Sequence, residues 1–432
     1  MNTDPDSHCE WDTVIIGGGA SGMLAALQLS QLRPNSSVLI VERNPKLGKK
    51  LLVTGNGRCN LSNIGASVDY YHGSDPTFVC EPLRKYAVDD TREFFEQLGL
   101  PTMSDEFGRV YPNTQNAGSV LDCLRYNLSD YGVSVMLSTL ISSVEYSKGR
   151  FILRTHNGEV IRSKSVLVAT GGACAPHTGS DGNGYDILSS FGHMCLNVMP
   201  GIVQIKTRRD WVKQLSGIRL SANIALLFED KCVREEFGEV LFTDYGVSGP
   251  ASLQLSSHVS RILHENDIEH QKALSLHIDF FSDMSISDIR NELMARRAKY
   301  SHRAVDTLLV GLVQNRLATA LIRSATDISF SEPISNLSDS DVVAISNRLK
   351  DSILDVEGTM GMKEAQVTIG GALTSEFDPT TMMSIYVPGL FAAGEVLDID
   401  GDCGGFNLQW AFSSGRLAAD GINIFLSGIY NE

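Results

Sequence analysis

Gly17, Gly19 and Gly22 are spaced as GxGxxG, and Glu42 follows about 20 residues beyond the last of them. This is chemistry for a diphosphate. Backbone without a Cβ can approach phosphate oxygens, helix N–H groups face the negative charge, and a carboxylate accepts hydrogen bonds from ribose hydroxyls. Three glycines alone are weak evidence, because a ligand-free turn uses the same residues. The surrounding elements therefore decide what the spacing means.

Thr13 to Ile16 reads as a short buried strand, Met23 to Leu32 as a helix of small and apolar residues, and Ser37 to Val41 as a second strand ending at Glu42. Strand, glycine turn, helix and strand make a βαβ unit, which is the setting the diphosphate reading requires. Further on, residues 85–98 and 117–130 read as helices, and 133–137, 141–146, 150–155, 160–161 and 166–168 as strands. The texture changes near Gly201. Residues 202–207, 221–228, 239–243 and 274–280 suggest an antiparallel unit, followed by a helical stretch over 285–350. Strand character returns at 366–369, 384–387 and 390–393, before a final helix over 408–426.

Several other segments have the composition to line a long, flat ligand. Lys50 and the loop Gly55, Asn56, Arg58, Cys59 and Asn60 follow the second strand, where a domain built for a nicotinamide dinucleotide alone would move to its next βα unit. Thr170 and Gly171 end the strand over 166–168. Gly394 and Glu395 end the strand over 390–393, where the carboxylate suits a ribityl or ribose hydroxyl. Asn407, Leu408 and Gln409 open the last helix, whose free N–H groups suit the electron-poor end of a flavin.

On these residues the chain resembles the YhiN/BaiN-like family of FAD-dependent oxidoreductases. The resemblance covers nearly the whole length. It rests on VIIGGGASG (14–22), KKLLVTGNGRCNLSN (49–63), GRVYP (108–112), ATGG (169–172), LFTDYGVSGP (241–250), VTIGGA (367–372) and GLFAAGEVLDIDGDCGGFNLQWAFSSGRLA (389–418). It implies an α/β fold: a split Rossmann-like FAD-binding domain of the glutathione-reductase type, interrupted by an inserted domain, β-barrel-like and helical. The expected boundaries are 1–199, 200–355 and 356–432. It also implies FAD held by Gly17, Gly19, Ser21, Gly22, Glu42, the Gly55–Asn60 loop, Gly394, Glu395 and Asn407 to Gln409, with Ile141 at the adenine. Arg43, Lys50, Thr170 and Gly171 complete the expected cofactor set. Two positions depart from the family: Asp244 stands where many members have His, and Met383 where Glu is common. A histidine acid–base at the first position is therefore not carried over.

The expected function is FAD-dependent redox chemistry on a small organic substrate, with NAD(P)H as a transient donor for reduction of a conjugated C=C bond. Alternatives are an oxygen-dependent oxidase of small amines, a flavin-dependent RNA-modifying enzyme and a non-catalytic flavin-binding protein. Gly179 to Gly184 is glycine-rich but follows a loop, so it reads as a turn and not a second nucleotide site. The catalytic residues are unassigned. His177, Arg58 and Tyr245 have suitable chemistry, each against a plainer role: solvated loop histidine, structural arginine and core tyrosine. Cys59 and Cys403 lie in motifs expected to line the flavin. Without a CxxC partner they read as small thiols and neither a redox pair nor a covalent tether.

Composition narrows the field. The chain has 432 residues, 51 Asp and Glu against 36 Lys and Arg, and a net charge of −15. This weighs against nucleic acid as a partner, because phosphate neutralisation supplies most of that affinity. Eight scattered cysteines suggest reduced thiols without a zinc site. The polar segment Met1 to Glu10 lacks a secretory pattern, and no apolar run is long enough to span a bilayer, so a cytoplasmic, non-membrane protein is expected. Neither motifs nor composition sets an oligomeric state.

Overall fold

A computed structural model describes residues 10–208, 211–266 and 273–428, so most of the polar segment Met1 to Glu10 lies outside it. The chain divides into two compact units, one of residues up to 199 together with 366 onward, the other of residues 200–365.

The first unit is built on a parallel sheet. Its strands are β1 (Glu10–Ile16), β2 (Val38–Val41), β6 (Ser134–Met136), β9 (Val160–Val168) and β16 (Leu390–Ala392), in the spatial order β6-β2-β1-β9-β16. Near-continuous Val, Ile and Leu runs mark strands covered on both faces, as parallel sheets are; Val14, Ile15, Ile40 and Leu167 are fully buried. The N-terminal half of β9 pairs instead with β8 (Arg150–Thr155), which pairs with β7 (Ile141–Ser147), both antiparallel. Helix α1 (Ala20–Leu32) packs on α10 (Phe406–Leu426), with α2 (Cys80–Lys85), α3 (Val88–Gln97), α4 (Ala117–Asp130) and α5 (Asn183–Ser190) around the sheet. Beside α10 lies a small antiparallel sheet of β3 (Ser62–Asn63), β5 (Arg109–Pro112) and β4 (Thr102–Ser104).

The register of the parallel strands sets up the site. Ile16 pairs with both Val41 and Val168, and Val168 pairs with Ala392. Four strands therefore stop level with one another, and the residues that follow, from Gly17, Glu42, Ala169 and Ala393, leave one edge together. In open α/β sheets this carboxyl edge is where ligands bind.

The second unit contains a closed barrel of six strands: β10 (Ile205–Thr207), β13 (Gly246–Ser248), β12 (Lys231–Phe242), β11 (Arg219–Phe228), β14 (Leu274–Asp279) and β15 (Ser352–Thr359). Alternate residues such as Ile224, Leu226, Leu276 and Ile278 fill it. Helices α6 (Pro250–Glu265), α7 (Ile286–Lys299), α8 (Asn315–Ala325) and α9 (Asp339–Lys350) belong to the same unit and share its apolar core. The sequence expectation of a barrel-like and helical insert holds.

Two local expectations change. β12 begins at Lys231, eight residues before the expected Glu239, because its outward face is charged and the apolar pattern appears only near its end. Ser384 to Val387 is not a strand. The Ser384 hydroxyl accepts from the Tyr386 and Val387 N–H groups at 3.1 Å each, turning the chain, and Ser384 makes an isolated bridge to Phe377.

Candidate active site

At the β1–α1 turn the three glycines have separable roles. Gly17 has φ +106°, and a Cβ on it would sit 2.4 Å from the Ala169 carbonyl oxygen. A Cβ on Gly22 would sit 2.1 Å from the Gly17 oxygen, so this glycine allows α1 to close on β1. At Gly19 a Cβ would meet no described atom within 4 Å, although its φ of −85° suits any residue. Gly19 thus borders open space at the N-terminus of α1, where the helix has neither a side-chain cap nor an acidic residue in its first turn.

Glu42 closes this turn. Its Oε2 accepts from Gly18 N at 2.9 Å, and its Oε1 accepts from Asn44 N and Nδ2, each at 2.8 Å. Arg43 pairs with Asp181. Glu42, Arg43, Ile141, Thr170 and Gly17 line one cleft of about 380 Å³, counted out to open solvent, so the structure unites five expected residues from four separate segments. Asp181, inside the Gly179–Gly184 turn, also lines this cleft and is not among the expected residues.

A second cluster lies behind Gly171 and Gly172. Lys50 Nζ donates to Glu395 Oε2 at 2.7 Å and to Cys174 Sγ at 3.0 Å; Cys174 Sγ donates to Glu395 Oε1 at 3.2 Å. Thr368 N donates to the same Oε1 at 2.7 Å. Burial works against charge on Glu395, but the Lys50 ammonium and these hydrogen bonds hold its carboxyl below the usual carboxylate value. Burial pushes the Cys174 thiol up to about 12, with Glu395 adding to the effect, so it is a neutral donor.

The loop from Gly55 to Asn60 is held open by left-handed backbone at Gly55, Asn56, Gly57 and Cys59. The Cys59 side chain is fully buried, and burial raises its thiol to about 11, away from thiolate chemistry. Arg58 stacks its guanidinium 4.7 Å from the Tyr111 ring centroid. Asn60 Oδ1 is buried without a hydrogen-bond partner and faces Gly405, where a Cβ would lie 2.8 Å from it. Gly405 begins α10 with no side-chain cap. An unpartnered carboxamide oxygen beside uncapped helix N–H groups fits a polar ligand edge that both donates and accepts.

Not every expected residue faces this region. Gln409 is fully buried: its Oε1 accepts from the Ser62 hydroxyl at 2.6 Å, and its Nε2 donates to Thr91, Ser413 and the Tyr86 carbonyl. Its side chain struts α10 against α3 and β3. Asn407 spends its side chain on the 401–402 loop, accepting from Gly401 N and donating to the Gly401 and Asp402 carbonyls. Leu408 is half-buried. Ser21 is buried against Gly394, whose Cβ would lie 2.7 Å from the Ser21 hydroxyl oxygen. His177 is exposed, its carbonyl accepting from the Lys49 ammonium. Tyr245 belongs to the second unit, half-buried in the turn between β12 and β13, with its carbonyl accepting from Thr207 N.

The donor set suits a dinucleotide: open backbone at a helix N-terminus, a carboxylate at the end of the second strand, a small-residue cleft and a second carboxylate at the end of β16. Among the described residues no cluster of His, Cys, Asp or Glu could hold a metal ion, and no helix is long and apolar enough to cross a membrane.

Comparison with known proteins agrees. The model of the HI0933-like protein Rossmann domain matches residues 11–421. The chain is 35% identical over 404 residues to a 3-dehydro-bile acid delta(4,6)-reductase of Clostridium scindens, covering 94% of this chain and 97% of that protein. It is 30% identical to ribosomal RNA dihydrouridine synthases of Haemophilus influenzae, over 414 residues (94% and 97%), and Escherichia coli, over 412 residues (94% and 96%). With the family model spanning nearly the whole chain, the protein belongs to the HI0933-like Rossmann-domain family of flavoprotein oxidoreductases.

Proposed function

We propose that this chain is an FAD-dependent reductase of a C=C bond conjugated to a carbonyl, with NAD(P)H as the electron donor and a small organic molecule as substrate. The observation that carries the reading is the cleft over Gly17: Glu42, Arg43, Ile141 and Thr170 converge there, beside open backbone at Gly19. FAD, when bound, carries the hydride between donor and substrate. The chain's residues position it. Gly19 and the first turn of α1 present N–H groups to the diphosphate, those of Gly17 and Gly18 being spent on Val41 O and Glu42 Oε2. Glu42, itself oriented by Gly18 and Asn44, would accept from ribose hydroxyls, and the backbone at Ile141 would meet the adenine. Glu395 accepts from a hydroxyl of the linking chain, while Asn60 and the first turn of α10 meet the polar edge of the ring system.

The relatives' names favour an activated alkene. A delta(4,6)-reductase of a 3-dehydro compound and a dihydrouridine synthase both reduce a C=C conjugated to a carbonyl. The second name supports an alternative substrate, a uracil in ribosomal RNA. The surface weighs for the small molecule. Arg296 is spent on Glu292 and two carbonyls, Arg297 on Asp339 and the Leu337 carbonyl, and Arg316 on the Gln214 and Ser216 carbonyls. Arg296 and Arg297 are ion-paired, and cations already paired with carboxylates add little to phosphate binding.

The test is anaerobic. FAD-loaded protein is mixed with NADH or NADPH, and bleaching near about 450 nm is followed. The reduced enzyme is then offered an enone acid or unmodified ribosomal RNA. Reoxidation by the enone acid is expected. Protein that takes up no FAD refutes the cofactor assignment, and reoxidation by RNA alone moves the substrate to the second reading.

A further inference from the structure

The Lys50–Glu395 cluster contains groups that the cofactor reading does not use. Glu395 receives three protein hydrogen bonds, distributed unevenly. Oε1 takes two, from Thr368 N at 2.7 Å and Cys174 Sγ at 3.2 Å; Oε2 takes only that of Lys50 Nζ, at 2.7 Å. Of the two carboxylate oxygens, Oε2 lies nearer Gly171, 3.9 Å from the position of a Cβ there. About a fifth of the Glu395 side chain remains accessible. One oxygen is thus saturated from behind, and the other keeps acceptor capacity toward the carboxyl edge of the sheet.

Thr368 organises the saturated side. It is buried, and its Oγ1 accepts from two successive backbone groups, Ala173 N at 2.9 Å and Cys174 N at 3.0 Å. The hydroxyl therefore fixes the turn that carries the Cys174 thiol, while the same residue's N–H fixes Oε1 directly. A Cβ on Gly172 would lie 2.2 Å from this hydroxyl oxygen, so the turn can approach Thr368 only because that position is glycine.

We propose that Thr368, acting with Cys174, is a positioning residue for cofactor binding: it locks the Glu395 carboxylate in the rotamer that presents Oε2 to a ligand hydroxyl. The inference rests on the assignment of FAD to this site. It adds that the strength of the Glu395 contact is set from behind, by two uncharged side chains that never touch the cofactor. Thr368→Val keeps the shape and the N–H but removes the Oγ1 acceptor. The turn loosens, the Cys174 thiol leaves Oε1, and the carboxylate gains freedom that binding must then remove.

The experiment titrates FAD into apo-protein and reads quenching of flavin fluorescence, with thermal unfolding of each apo-variant measured alongside. Thr368→Val is expected to weaken FAD binding by about tenfold, and Thr368→Ser, which keeps the hydroxyl, to stay within about threefold of wild type. Cys174→Ala and Cys174→Ser form a second pair: the first loses affinity and the second retains it. The serine variants separate positioning from packing, because a structural role alone would move the unfolding midpoint without following the hydroxyl. Wild-type affinity in Thr368→Val, or equal loss in the Val and Ser variants, overturns the proposal. If Thr368→Val does not fold, the Cys174 pair decides, and unchanged binding in Cys174→Ala overturns it. Wild-type protein that binds no FAD refutes the cofactor assignment itself, and the positioning role falls with it.

Discussion

Gly19 and Gly22 lie three residues apart in one turn, yet adding a methyl group to each should have opposite consequences. In Gly22→Ala the new Cβ arrives 2.1 Å from the Gly17 oxygen and 3.2 Å from Ile15 Cγ2. Backbone lies on both sides of the contact, so α1 must move away from β1. Overpacking of this kind costs about 1–3 kcal/mol, and a unit of this size loses roughly 2–4 °C of melting temperature per kcal/mol. A fall of about 2–12 °C in the apo-protein follows. In Gly19→Ala the Cβ meets no described atom within 4 Å, and φ of −85° is ordinary. Alanine is a poorer N-cap than glycine by up to roughly 1 kcal/mol, while the stiffer unfolded chain returns about 0.4–1 kcal/mol. Stability should therefore change by less than about 0.5 kcal/mol. The methyl does, however, occupy the space through which a diphosphate would reach the N–H groups of α1. Charging the same 1–3 kcal/mol to the bound state weakens FAD binding by about 5- to 150-fold. Calorimetry of the apo-proteins and FAD titration of each give the two readouts. The reasoning fails if Gly19→Ala binds FAD as wild type does, or if its apo-form melts as low as that of Gly22→Ala.

Three further outcomes follow from the geometry. His193 is buried between Glu376 Oε2 at 3.1 Å and the Ser384 hydroxyl at 2.9 Å, and burial holds its imidazole below the ordinary 6.5 despite Glu376. The unfolded chain therefore binds the proton more readily, and the contribution is complete above pH 6.5 and lost as pH falls through the lowered native value. Urea midpoints between pH 7 and pH 5 should fall in wild type and flatten in His193→Phe; equal slopes would refute the assignment. Lys50→Met leaves Glu395 without its cation. The expected cost is about 2 kcal/mol at neutral pH, below the range for a fully buried pair because part of Lys50 reaches solvent. Without the ammonium, burial raises the Glu395 carboxyl, so the cost should shrink as pH falls and Glu395 protonates in the variant before it does in wild type; a pH-independent loss in denaturant titration would contradict the ion-pair account. Cys80 and Cys232 are exposed, whereas Cys59 and Cys174 are buried with thiols raised to about 11 and 12. An aromatic disulfide reagent at pH 8 should label the first two in native protein and the latter two only on unfolding, as peptide mass spectrometry would report.

The sequence is most informative where structure is local. β1, α1, β2 and Glu42 follow from apolar runs and glycine spacing, and the helix expected over 117–130 matches α4 because its period is uninterrupted. It is least informative where a contact joins distant segments. Lys50 and Glu395 are 345 positions apart, and Thr368 lies in a quoted motif with nothing in its neighbourhood to assign it a role. The direction of the Gln409 side chain is hidden for a different reason. Gln409 stands two residues from Asn407, and two residues on an α-helix turn through about 200°, so adjacent members of one motif face opposite ways. The start of β15 is hidden in the sequence because Ser352 is buried and Ile353 exposed, so the regular alternation begins only at Leu354.

An acidic chain that holds an anionic cofactor looks contradictory only if net charge is taken as a local field. Each carboxylate at the proposed site is already answered. Glu42 is met by Gly18 N and Asn44, Glu395 by Lys50 and Thr368 N, and Asp181 by Arg43. What remains directed at the cleft is the uncompensated end of α1, whose partial positive charge acts over a few ångströms, while the −15 of the whole chain is screened over about 10 Å. The same arithmetic separates the two substrate readings. A small molecule needs only this screened, local chemistry, but an RNA needs free cations over many phosphates. Raising ionic strength should therefore leave turnover of the true substrate almost unchanged in the first case and reduce it steeply in the second.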